Sequence, residues 1–291
     1  MESIIEKGSL EVTLLDRLAQ RKSQHRLRQL VIPRPDLVDF SSNDYLSLSQ
    51  DPILRGALIA QLNDPDKKTP STPSNGRIIG SGGSRLLDGN STFAEHLEQK
   101  IAHFHGSEAA LLFNSAYDAN VGLISCVPGA EDVIVYDSLI HASIHDGIRL
   151  SRATRRIPFA HGSIVRHTKE MSAELENGSG SAVGEEARGL KYTLERLIHG
   201  DRRVATGKAN VFICVEALYS MDGDIPDLQY VSDVVQSLLP NGNGYIIVDE
   251  AHSVGVLGDG RGLVSQLGLQ DRVWARVVGF GKAMGCAGGR Y

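Results

Sequence analysis

Cysteine is scarce in this 291-residue chain: Cys126, Cys214 and Cys286 lie far apart and form no CxxC pair. An odd, scattered set excludes a disulfide framework and a thiolate zinc site, and fits a reducing compartment. Long apolar runs are also missing, so no segment reads as a membrane span. Met1 to Leu10 carries Glu2, Glu6 and Lys7 where a secretion signal has an apolar core. The expectation is a cytoplasmic protein, with an organelle signal at the carboxyl end left open. Nor is there a basic excess. With 30 Lys and Arg against 35 Asp and Glu the formal charge is -5, which argues against nucleic-acid and anionic-membrane partners. What remains, 41% hydrophobic and 22% charged residues, is the balance of a globular chain long enough to bury a sizeable core.

Along the chain, Leu14, Leu15 and Leu18 with Arg17, Arg21, Lys22, Arg26 and Arg28 predict an amphipathic helix over residues 10–30, stopped by Pro33 and Pro35. We expect residues 1–40 to form a helical arm and 41–291 the main domain. Val38 to Leu46 predicts a short strand ending in polar turn formers. Residues 63–76 are rich in proline and polar side chains and predict an exposed loop, and a stretch near 169–210 reads as a helix-bearing insertion or long crossover. A helix is expected from Thr92 to Phe104. Elsewhere short apolar runs alternate with helical stretches: Ala109–Phe113, Asp132–Tyr136, Val211–Val215, Tyr245–Val248 and Val277–Val278 as strands, with helices after Ser115 and His141 and over Asp227–Leu239. That repeat predicts an α/β fold, a mostly parallel doubly wound sheet with helices on both faces.

The most informative stretch lies near the end, where Val277-Val278-Gly279-Phe280-Gly281-Lys282-Ala283-Met284-Gly285 runs from a strand into a glycine-rich turn around one lysine. Ligands of open α/β sheets collect beyond the carboxyl ends of strands. A partly desolvated lysine there can lose its proton and attack a carbonyl to form a Schiff base, whereas a solvated loop lysine would do nothing. Two further strands deliver Glu216 with Ser220, and Asp249 with His252, to the same rim. Asp249-Glu250-Ala251-His252 also spells the DEAH signature of a helicase, but that reading requires an upstream GxxxxGK followed by Ser or Thr. Here Gly281-Lys282 lies downstream and Ala283 follows it. Pyridoxal phosphate (PLP) accounts for more of the residues: its ring nitrogen stays protonated only beside a buried carboxylate such as Asp249. His252 can reach the ring oxygen and His141 can stack on the ring. Free amides where Ser115, Ala116 and Tyr117 open a helix can take the phosphate.

Taken together, Phe40-Ser-Ser-Asn-Asp-Tyr-Leu46, Gly80-Ser-Gly-Gly-Ser-Arg85, Asp88-Gly-Asn90, Ser138-Leu-Ile-His-Ala-Ser143, Ser220-Met-Asp-Gly-Asp224, Asp249-Glu-Ala-His252 and Gly281-Lys-Ala-Met-Gly285 resemble the α-oxoamine synthases. The motifs come in the right order and the likeness runs from about residue 10 to the end. The resemblance implies the large domain of a fold-type I PLP enzyme, a homodimer that joins an amino acid to an acyl-CoA, loses carbon dioxide and releases an aminoketone. Alanine with pimeloyl-CoA is the pair it suggests, and a long-chain acyl relative would look similar. It implies that Lys282 carries the cofactor and moves the α-proton, His141 stacks on the ring, and Asp249 pairs with the ring nitrogen. It further implies that His252 and Ser220 contact the ring oxygen or substrate, that Ala116 and Tyr117 hold the phosphate, and that Glu216 orders the site from behind. Asn43 and, by a looser alignment, Arg28 would face the substrate carboxylate. Two departures stand out. Gly279 occupies the position where the family has Thr or Ser donating to the phosphate. The family also continues beyond this chain, through the end of the large domain and a small carboxyl-terminal domain that carries a carboxylate-binding arginine, so the last strands of the sheet are expected to be missing and its edge open. A non-catalytic remnant or partner subunit, and an aminotransferase-type PLP enzyme, are the alternatives.

Overall fold

In the computed structural model the described residues are 8–30, 32, 34, 36–63, 81–164, 188–286 and 289–290. Residues 64–80 and 165–187, with Pro33 and Pro35, lie outside them. The contacts divide the chain into Met1–Ser42 and Asn43–Tyr291. In the first unit one helix, α1 (Ser9–Ser23), ends seven residues short of the expected limit, and none of its residues is buried. Arg26 and Arg28 therefore lie beyond it. The strand expected over Val38–Leu46 does not form; that stretch is a series of bends and turns. Its polar run holds its own backbone instead, since Asp39 accepts from the amides of Ser41 and Ser42.

The second unit is built on a seven-stranded sheet. Its elements in chain order are α2 (Pro52–Asn63), α3 (Thr92–His105), β1 (Leu112–Phe113), α4 (Ala116–Cys126), β2 (Val133–Asp137), α5 (Ala142–Leu150) and β3 (Arg155–Phe159). There follow α6 (Leu190–Gly200), α7 (Arg202–Ala205), β4 (Val211–Glu216), α8 (Leu228–Leu238), β5 (Gly244–Asp249), α9 (Leu263–Gln266), β6 (Ala275–Gly279) and β7 (Gly289–Arg290). The spatial order is β1-β7-β6-β5-β4-β2-β3. Strands β3, β2, β4, β5 and β6 are parallel, while β7 runs antiparallel between β6 and β1. This corrects the open edge expected beside the lysine strand: β7 covers the carboxyl-terminal end of β6.

Alternation along the strands divides the core in two. Val211, Ile213 and Val215 of β4 face one layer with Leu190, Leu194 and Leu197 of α6 and Leu228, Val231 and Val235 of α8. Phe212 and Cys214 face the other, with Leu123 and Ile124 of α4 and Ile144 and Ile148 of α5. A period of two, apolar on both sides, is what a strand covered by helices on both faces requires. The stretch read as an insertion thus contains, from Leu190 onward, a crossover whose helices fill the core. Strand β3 was not expected, because its sequence Arg-Arg-Ile-Pro-Phe is charged and carries Pro158. It lies at the sheet edge, where a missing N–H breaks no ladder.

Topology now fixes where a ligand can sit. The chain leaves β2 for β3 through α5 on one face, returns to β4 on the other side of β2, and proceeds to β5 through α8 on the opposite face. The loops after β2 and β4 therefore diverge, opening a crevice at the carboxyl ends of the strands.

Candidate functional site

Four parallel strands end on acidic or bare residues at this crevice. β2 ends on Asp137, β4 on Glu216, β5 on Asp249 and β6 on Gly279. Glu216 and Asp249 are direct register partners, so the two carboxylates stand abreast, and both are buried. Lys282 follows three residues after β6, half-buried in the turn closed by Gly285 N–H to the Lys282 carbonyl. Gly285 is required there: its φ is +61°, and a Cβ would come within 2.8 Å of the Ser49 amide.

The electrostatics follow from this grouping. Burial lowers the Lys282 amine from its ordinary value, opposed by the nearby charges of Asp249 and Glu216. Burial also pushes Glu216 up to about 8, with the charge of Asp249 adding to the shift and an amide from His141 opposing it. His252 is brought down to about 4, by burial first and then by Lys282, so it is a neutral imidazole at pH 7. Its Nδ1 lies 2.7 Å from the Tyr45 hydroxyl, which in turn donates to Asn43 Oδ1 at 3.1 Å. A neutral proton-sharing chain thus leads from His252 to Asn43.

Asp249 is held from both sides by neutral donors. Its Oδ1 accepts from the Ala251 amide at 2.9 Å, and its Oδ2 from Asn120 Nδ2 at 2.6 Å. Asn120 Nδ2 also reaches Ser143 Oγ at 3.0 Å, and that hydroxyl is 2.7 Å from His141 Nδ1. Asp249, Asn120, Ser143 and His141 therefore form one line of hydrogen bonds beneath the crevice. His141 caps α5, with its Nδ1 accepting from the Ser143 amide, and its ring stands 6.1 Å from that of Tyr117.

Glu250 departs from any metal-binding acidic pair. It is fully buried, accepts from the Val264 amide at 2.9 Å and lies 3.8 Å from Arg276. Burial pushes it up to about 7. Successive strand-end residues point to opposite sides, and only Asp249 looks into the crevice. Among the described residues no cluster of three His, Cys, Asp or Glu side chains could hold a metal.

The amino end of α4 lies against the last residue of β6: a Cβ on Gly279 would stand 3.5 Å from Ala116 Cβ and 3.0 Å from Ala251 Cβ. Ser115 caps this helix, accepting from the Asp118 amide at 3.0 Å and donating to its carboxylate at 2.8 Å. Its hydroxyl is thereby committed to the cap, while the amides of Ala116 and Tyr117 precede the helical ladder and keep their donors for a ligand. Ser220 is exposed on the turn between β4 and α8. Arg28 belongs to the amino-terminal unit, where it is exposed. Of the residues expected from sequence, Lys282, Asp249, Glu216, His252 and His141 come together, and Asn43 joins through Tyr45. Asn120, Ser143 and Tyr45 were missed. A lone amide inside an apolar helix, as Asn120 is in α4, was the available signal.

The profile of the family Aminotransferase class I and II matches residues 35–291. An 8-amino-7-oxononanoate synthase of Emericella nidulans is 45% identical over 280 residues, 96% of this chain and 60% of the relative. Among solved structures, a serine palmitoyltransferase of Sphingomonas wittichii is similar at 26% identity with a TM-score of 0.67, covering 97% of this chain and 62% of that one. A serine palmitoyltransferase described as holding a PLP internal aldimine shares the fold at 24% identity and a TM-score of 0.66, covering 98% of this chain and 63% of that one. The chain thus spans about 60% of the length of the relatives it matches.

Proposed function

The chain belongs to the aminotransferase class I and II family, and from that premise we propose that it is the large domain of a PLP-dependent α-oxoamine synthase. Its reaction is the joining of an amino acid to an acyl-CoA with loss of carbon dioxide, and its preferred pair is alanine with pimeloyl-CoA, giving 8-amino-7-oxononanoate. One observation carries the reading: a desolvated lysine, two abreast carboxylates and two histidines meet at the carboxyl ends of parallel strands, against the open end of a helix.

The residues fit the cofactor. Asp249 is buried, and among the described residues its side chain accepts from a side-chain amide and a backbone N–H, both neutral, which suits it to face a cationic ring nitrogen. When bound, PLP supplies the electron sink that stabilises negative charge at the amino-acid α-carbon. Lys282, held towards its neutral form by burial, would hold the cofactor and would take or return a proton at the substrate α-carbon. His141 would cover the ring face. Neutral His252, its Nδ1–H given to Tyr45, would turn a bare Nε2 towards the cofactor and accept from a protonated ring oxygen. The amides of Ala116 and Tyr117 receive the phosphate at the positive end of α4. Ser220 and Asn43 are assigned to the substrate, and Glu216 to ordering the loop of His141 through that residue's amide. A homodimer in the cytoplasm remains part of the proposal; the described residues contain no helix long and apolar enough to cross a membrane.

A second reading, a non-catalytic relative that keeps the fold, is favoured by Gly279, which offers no hydroxyl to a phosphate. One missing charge-assisted hydrogen bond weakens binding by about 1.5–3 kcal/mol. The test is absorbance of the purified protein with PLP, borohydride reduction and peptide mapping, with K282A as the control. A visible-edge band fixed by reduction onto Lys282, followed by CoA release from pimeloyl-CoA in the presence of alanine, supports the enzyme. A modified Lys282 without CoA release supports the second reading. A folded protein that shows no adduct sinks the enzyme reading and leaves the second.

A further inference from the structure

A second polar cluster is built around the last residue of β2. Asp137, at the end of β2, is fully buried. Its Oδ1 accepts from the Leu139 amide at 2.8 Å, two residues before His141. Its Oδ2 accepts from the Tyr219 hydroxyl at 3.0 Å and from His161 Nδ1 at 2.9 Å. On its other side, His161 Nε2 lies 2.6 Å from Asp224 Oδ2. The turn between Tyr219 and Asp224, which carries Ser220 and Met221 at its tip, is closed by Tyr219 N–H to the Asp224 carbonyl at 3.0 Å and Gly223 N–H to the Tyr219 carbonyl at 2.9 Å. The Tyr219 ring packs edge-on to His161 with centroids 4.3 Å apart, and the Glu216 amide donates to the Tyr219 hydroxyl at 3.2 Å.

We infer that His161 is a positioning residue, a doubly protonated imidazolium that clamps the Ser220 turn to Asp137 and so fixes that turn relative to the loop carrying His141.

The argument is one of donors and acceptors. Both ring nitrogens face carboxylate oxygens, and an ionised carboxylate only accepts. A neutral imidazole would set a lone pair against one of the two carboxylates. Only the cation satisfies both, and it balances one of the two negative charges that the cluster removes from water. Burial alone would lower His161, but the hydrogen bonds and charges of Asp137 and Asp224 raise it to about 9. The titratable groups facing the ring are Asp137 on β2 and Tyr219 and Asp224 on the turn. Burial raises Tyr219 well above its ordinary range, so it does not ionise where His161 does. Without the clamp, Asp137 would still hold Leu139, but the Ser220 turn would be tied to β2 by the Tyr219 hydroxyl alone. The proposed function enters only in saying what the two loops hold; the clamp itself does not depend on it.

The experiment uses the full chain without added cofactor. Ring nitrogen NMR of labelled protein reads the protonation of His161, and amide hydrogen exchange reads Leu139 to His141 and Tyr219 to Asp224, with β4 amides such as Ile213 as the internal reference. We expect both His161 nitrogens to be protonated at pH 7.5. Exchange in the turn, corrected for its intrinsic rise with pH, should increase at least about tenfold as pH rises past 9, while the β4 reference does not move. Because Glu216 titrates nearby, the step must persist in Glu216→Gln. In Asp224→Asn the amide can accept from the charged ring or donate to the neutral one, so the exchange step should vanish and the turn stay closed at every pH, while the His161 titration read by NMR moves down by at least about one pH unit. In His161→Ala the turn should exchange at least about tenfold faster at every pH. A neutral His161 at pH 7.5, or turn exchange unchanged in His161→Ala, overturns the inference. PLP binding, measured separately on the same proteins, tests the proposed function: its failure with the clamp intact refutes only that reading.

Discussion

Asn120→Ala is the sharpest perturbation of the line beneath the site. The substitution removes the donor that meets Asp249 Oδ2 at 2.6 Å and Ser143 Oγ at 3.0 Å, from a side chain with about 1% exposure. A hydrogen bond to a buried charge contributes about 1.5–3 kcal/mol, and the orphaned carboxylate oxygen and small void bring the expected loss to about 2–4 kcal/mol. At roughly 2–4 °C per kcal/mol in a domain of this size, the melting temperature should fall by roughly 4–16 °C. PLP affinity should fall at least about tenfold, because Asp249 loses the partner that aims it. Circular dichroism melts and a PLP titration measure the two effects. Asn120→Asp supplies the sign. It sets a second acid against Asp249, so one carboxyl of the pair must keep a proton, and the pair's pKa rises. Its destabilisation should therefore grow as pH rises through that value and recede as pH falls, when the protonated partner donates to the other. Asn120→Ala within about 0.5 kcal/mol of the parent, with unchanged PLP affinity, would refute the reasoning.

Glu216→Gln should gain stability over the parent with rising pH. Glu216 titrates near 8 in the fold against about 4.3 in an unfolded chain. The stabilisation from its buried proton is complete below the lower value and lost as pH climbs through the higher one, and Gln escapes that loss; denaturant midpoints at pH 5, 7 and 9 check it. Gly147→Ala should cost about 1–3 kcal/mol, because a Cβ there would lie 2.8 Å from Ile124 Cβ and 3.1 Å from the Asn120 carbonyl; an unchanged urea midpoint would show that α4 and α5 can separate freely. Cys214 should resist thiol reagents in the native protein, since burial pushes its thiol up to about 12, while exposed Cys126 and Cys286 react; timed labelling with mass spectrometry distinguishes them.

The sequence by itself determined the class of fold and the strand ends that matter. Apolar runs such as Val211–Val215 and Tyr245–Val248 can be buried only between two helical layers, and each hands a charged residue to the same rim because parallel strands end on the same side. The lysine turn was legible for the same reason, since glycine marks the positions where backbone must bend or approach closely. Tertiary structure alone decided the rest. Arg155–Phe159 became a strand because the sheet edge tolerates Pro158, and Val38–Leu46 did not become one because its aspartate and serines satisfied their own backbone. The short antiparallel β7 found its second neighbour in β1, whose Leu112 and Phe113 are far from it in the chain. Asn120, Tyr45 and His161 acquire their roles from partners 129, 207, 24 and 63 residues away. No local pattern encodes such a distance, because a hydrogen bond is specified by where two atoms meet, and that meeting point is set only when the layers pack.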